Sequence, residues 1–80
     1  MPHEPIIRRN AKRLVASAAT HIFRAAEDME QLHDIFASEK NPLSVEFARA
    51  GVALCGFIKA LEDLWQEAWG PPPDNWMSYH

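Results

Sequence analysis

Twice in this chain, seven successive apolar residues fall on alternating steps of three and four. The first set is Val15, Ala18, Ile22, Ala25, Met29, Leu32 and Phe36; the second is Phe47, Ala50, Leu54, Phe57, Leu61, Leu64 and Ala68. Such steps return to one face of an α-helix and do not fit the two-residue alternation of a half-buried strand. The helix breakers lie outside both runs: Pro2 and Pro5 at the start, Asn41-Pro42 between them, and Gly70-Pro71-Pro72-Pro73 behind the second. The pattern predicts an all-α fold, a single helical domain over 1–80. One helix spans about 8–38, a second about 42–69, and a Pro-rich aromatic tail covers 70–80.

The chemistry of the expected ends agrees with this reading. Asn41 suits an N-cap with Pro42 in the first helical position, where a missing N–H is no loss; Ser44 is a second candidate. Gly70 suits the left-handed residue that follows a last helical turn. A connection around Ser38 to Asn41 is short enough to force antiparallel neighbours, so the core unit is a two-helix hairpin. The alternative is a break at Ser17-Ala18-Ala19-Thr20 that yields a three-helix bundle. Arg8, Arg9, Lys12 and Arg13 open the first helix, and Glu62, Asp63 and Glu67 close the second. Each cluster opposes its own helix dipole, and an antiparallel hairpin is expected to pair them, with Arg49 reaching Asp28 or Glu30.

Two helices do not enclose a core. From Phe47 to Ile58 the only strongly polar side chain is that of Arg49. The second helix is therefore apolar over more than half its circumference and needs cover on more than one side. The expected solution is a homodimer that closes a four-helix bundle. Its self-association residues are Phe47, Gly51, Val52, Leu54, Cys55, Ile58 and Trp65.

Composition narrows the function. A net charge of -3 over 80 residues argues against a generally cationic nucleic-acid binder. A single cysteine, Cys55, excludes an intramolecular disulfide framework, and no apolar run suits a membrane span or a signal peptide. The expected setting is cytoplasmic, with no membrane partner. No nucleophile–base set, phosphate-binding glycine loop or zinc spacing is present, so neither an enzyme nor a cofactor is expected. Glu30-x-x-His33 is the one ligand-like spacing, and the helical frame turns Glu30 outward, away from any core metal site.

Two surfaces remain as candidates for a partner protein. Glu27, Asp28, Glu30, Asp34 and Glu39 form an acidic stretch with no Lys or Arg among them. Trp65, Trp69, Trp76 and Tyr79 form an aromatic end. The tail has two competing readings: it folds back so that Trp76 plugs the hairpin near Trp65 and Trp69, or it docks on another protein. The expected function is that of a small non-enzymatic interaction module that regulates or inhibits a partner by surface occlusion. The alternatives are a nucleic-acid-associated regulator using Arg8, Arg9, Lys12 and Arg13, and a carboxylate/His metal-binding bundle.

Overall fold

The computed structural model describes residues 4–79, with side chains from Arg8 onward. Helix α1 spans Glu4–Ser38, helix α2 spans Ser44–Trp69, and a short 3-10 turn covers Trp76–Ser78. There is no strand among the described residues. The irregular start expected at Pro2 lies outside them, whereas Pro5 is helical. The first helix thus begins before the expected residue 8, because Pro5 falls in the first turn, where its N–H is not needed. At 1.5 Å per residue α1 is about 52 Å long, which sets the long dimension of a 59 × 19 × 17 Å rod.

The expected alternative of a break near Ser17–Thr20 does not hold, since α1 runs through it. Thr20, within this segment, ties α1 to the tail. Its hydroxyl lies 3.0 Å from the carbonyl of Ala16, one turn back, and 2.9 Å from the carbonyl of Met77 in the tail. Its one proton therefore serves either its own helix or the tail.

The turn closes α1 with a Schellman arrangement. The N–H of Asn41 donates to the carbonyl of Phe36 at 2.9 Å, and that of Lys40 donates to Ala37 at 3.0 Å. Lys40 occupies the left-handed position, at φ 56°, where glycine is usual. Asn41 Oδ1 then accepts from the N–H of Leu43 at 3.0 Å, as an N-cap does, and Pro42 follows Asn41 as expected. Regular α-helix starts at Ser44, two residues after the expected boundary, because the lead-in turn is held by bonds three residues apart. At the far end Gly70 has φ 92° and ψ -176°. This is an extended mirror-image conformation rather than the expected left-handed helical one, and it is essentially confined to glycine.

The tail folds back. Trp76 is 5% exposed and packs 5.6 Å from Trp65, itself 3% exposed and also in contact with Trp69 and Tyr79. Ala16 and Ala19 complete the buried cluster, their small side chains giving the tail close access to α1. The seam departs from the expected frame accordingly. Ala18, Phe57, Leu64 and Ala68 are exposed, while α2 turns Ile58, Leu61, Trp65 and Trp69 toward the cluster. That set keeps the period of a straight helix, not the 3.5-residue period of a supercoil.

The expected ion pairing between helices is also corrected. Lys12 sits over the rings of Trp65, Trp69 and Tyr79, at 5.5, 5.7 and 5.9 Å from their centroids, and pairs with no carboxylate among the described residues. Lys59 takes Glu62 and Asp63 on its own helix, and Arg49 takes Glu46 rather than Asp28 or Glu30. Such exposed pairs are screened by solvent and contribute little.

Candidate docking groove

One stripe of each helix explains both the covered and the open part of the molecule. On α1, Ala16, Ala19, Phe23, Ala26, Glu30 and His33 follow one another at steps of three and four. On α2, Trp65, Glu62, Ile58, Cys55, Gly51 and Ala48 do the same in the opposite direction. Each set therefore lies along one flank of the hairpin. The tail covers this flank at the end where α1 begins and α2 ends. From Phe23 onward the flank is bare.

The bare part is a groove of about 440 Å³. Its floor is Ala26, Ala48 and Gly51, its walls are Phe23, Phe47, Val52 and Cys55, and Glu27, Glu30 and His33 border it on α1. At Gly51 the groove floor faces Met29 of α1: a Cβ placed on this glycine would lie 3.6 Å from Cβ of Met29, an ordinary van der Waals contact. Phe47 also packs against Phe36, their rings tilted at 54° with centroids 4.9 Å apart. Val52 is 73% exposed and Phe23 48%. Every residue buried in the fold, by contrast, belongs to the tail-covered cluster.

The expected site residues divide cleanly. Of the self-association set, Phe47, Gly51, Val52 and Cys55 line the groove, Leu54 and Ile58 are half-buried outside it, and Trp65 is in the core. Of the acidic stretch, Glu27 and Glu30 border the groove, and Asp28, Asp34 and Glu39 are exposed near it along α1. The residues of the expected aromatic end come together in the fold. Trp65 and Trp76 are buried against each other, Trp69 and Tyr79 are half-buried around Lys12, and no open aromatic face is left for a partner.

Phe23 and Ala26 were not singled out by sequence reasoning. Phe23 stands beside Ile22 of the expected seam, and its spacing of three from Ala26 and four from Ala19 was the available signal. Glu30 is exposed as expected, yet it shares the groove with His33. His33 Nδ1 lies 3.2 Å from Asp34 Oδ1, and no group of three or more metal-type side chains is found among the described residues. A smaller hollow of about 280 Å³ lies beside the tail, with Arg13, His21 and Arg24 around Ser17 and Thr20. A second apolar strip, Leu14, Phe57 and Leu64, is exposed elsewhere; Phe57 is about 200° around α2 from Cys55, so it faces away from the groove.

Among the described residues, a shift of acidity is resolved at Lys59. Its hydrogen bond to Asp63, reinforced by the charges of Asp63 and Glu62, holds the ammonium above the usual lysine range. No described helix is long and apolar enough to cross a membrane. No protein family, curated protein or solved structure was found to match the chain.

Proposed function

We propose that this chain is a non-enzymatic helical interaction module that pairs with a second copy into a four-helix bundle and regulates or inhibits another protein by occluding its surface. The observation that carries the reading is the bare half of the flank. An apolar groove continues the stripe that the tail covers elsewhere, and apolar surface of that kind is favourably removed from water by a second helix. The exposed carboxylates from Glu27 to Glu39 give the module a means of steering a basic partner, an attraction that salt screens.

Solution mass by light scattering over a concentration series tests the assembly. A particle of twice 9.1 kDa that falls to the monomer on Val52→Glu, with helix content unchanged, is the expected result. A native chain that stays monomeric throughout overturns the dimer. For the regulatory role, capture of a basic partner should weaken with salt and with Asp28→Lys plus Asp34→Lys. Binding indifferent to both removes the acidic face from the mechanism.

A second reading rests on Arg8, Arg9 and Arg13, which are exposed and without an ion-pair partner among the described residues. These three would contact phosphates, with Lys12 withdrawn into its ring of aromatics. A gel shift that survives their joint replacement by alanine excludes it.

A further inference from the structure

A homodimer can be built on several faces and in two directions, and the distribution of charge along α1 selects among them. From Arg8 to Arg24 the helix carries five Lys or Arg residues and no Asp or Glu; from Glu27 to its end at Ser38 it carries four acids, Glu27, Asp28, Glu30 and Asp34, and no Lys or Arg. Arg9, Arg13 and Arg24 continue at helical steps into Glu27, Glu30 and Asp34, so both signs share one stripe. That stripe borders the groove, because Glu27 and Glu30 belong to its lining. All six side chains are exposed, and none pairs with an oppositely charged group of α2. The nearest cations of α2 are engaged on their own helix, Lys59 with Glu62 and Asp63, Arg49 with Glu46.

We infer that the groove is occupied by a second copy of this chain, laid antiparallel along α1 about a two-fold axis within one turn of Phe23. The basic half of each α1 then borders the acidic half of the other, whereas a parallel arrangement would set like charges together. The flank itself is shaped for this rotation. Its first half carries the tail and its second half is hollow, so the two-fold axis turns the raised half of each copy toward the hollow half of the other. Phe23, half-exposed at the junction of the two halves, meets its own copy near the axis. Phe57, exposed on the far side of α2 from Cys55, lies away from this groove.

This inference rests on the homodimeric reading, and three measurements separate the two. The wild-type mass is taken first. Arg9→Glu with Arg13→Glu, and separately Glu27→Arg with Glu30→Arg, should each raise the dimer Kd by about tenfold or more, and an equimolar mixture of the two variants should regain a dimer near the wild-type Kd. Phe23→Cys in a Cys55→Ser background should cross-link to itself under mild oxidation. Ala37→Cys, whose copies would be roughly 40 Å apart at 1.5 Å per residue, should not. A dimer that ignores both charge reversals, or that cross-links at Ala37→Cys and not at Phe23→Cys, overturns the antiparallel α1 pairing and leaves the dimer standing. A monomeric wild type overturns both.

Discussion

Both halves of the hairpin pair one face of α1 with one face of α2, and they differ in whether a third segment covers them. At the open end, the tail lies across α1 and α2, Trp65 and Trp76 are almost fully removed from water, and Ala16 and Ala19 are sealed beneath. At the turn end the same flank ends in Gly51, Val52 and Cys55 with nothing above them, and no residue is buried. Two helices alone make a contact, and a core forms only where a third element completes it. The tail thus shows what the groove lacks: a further segment along the same flank.

The largest test of this contrast is Trp76→Ala. Removal of a buried tryptophan costs about 3–5 kcal/mol, and urea denaturation should show that loss for Trp76→Ala but only about 2 kcal/mol for half-buried Phe47→Ala. Equal losses would break the comparison. Gly70→Ala should cost about 1–2 kcal/mol, because its backbone angles are strained for any other residue while open space surrounds the position. A loss much smaller than that would show that the tail reaches its place without this bend.

Thr20→Val keeps the shape of the side chain and deprives the Met77 carbonyl of its donor, for about 1 kcal/mol. Amide exchange should quicken in the tail and at the open end, and leave the turn end as it was. At the turn, Lys40→Gly should stabilise by about 0.5–1 kcal/mol, since glycine takes the left-handed position without the steric cost. The smallest effect belongs to Lys59→Met. The raised pKa of Lys59 means its pairing is complete below the usual lysine range and fades only as pH rises through the folded value. The slight difference between variant and wild type should therefore be constant at neutral pH and close in strong alkali.

The hairpin was legible because its signals are local. Steps of three and four, the proline positions and Asn41-Pro42 are all read within a few residues, and the hydrogen bonds of the turn follow from them. What the sequence concealed is which side of the seam is covered. Ala18 and Ala19 are adjacent and alike, and only the distant tail decides that Ala19 is buried while Ala18 is not. The same tail draws Trp65 inward and leaves Leu64 outside. Half of the groove was legible through the apolar excess around Gly51, Val52 and Cys55. Phe23 was not, because its importance comes from lying just beyond the last turn of α1 that the tail reaches. The cross-helix ion pairs failed for a similar reason: Lys12 meets the rings of the opposite helix and the tail instead of its carboxylates, and Lys59 and Arg49 find carboxylates on their own helix.

All the tryptophans of the chain, Trp65, Trp69 and Trp76, stand in one cluster with its single tyrosine. The protein's ultraviolet emission therefore originates at one end of a long rod. A fluorescence melt follows the loosening of the tail and says nothing about the turn, where Phe36 and Phe47 are nearly dark. A partner that settles in the groove would be invisible to tryptophan emission unless it reached Phe23 and the edge of the tail beyond it. An indole placed at Phe47 would give the silent end its own optical signal.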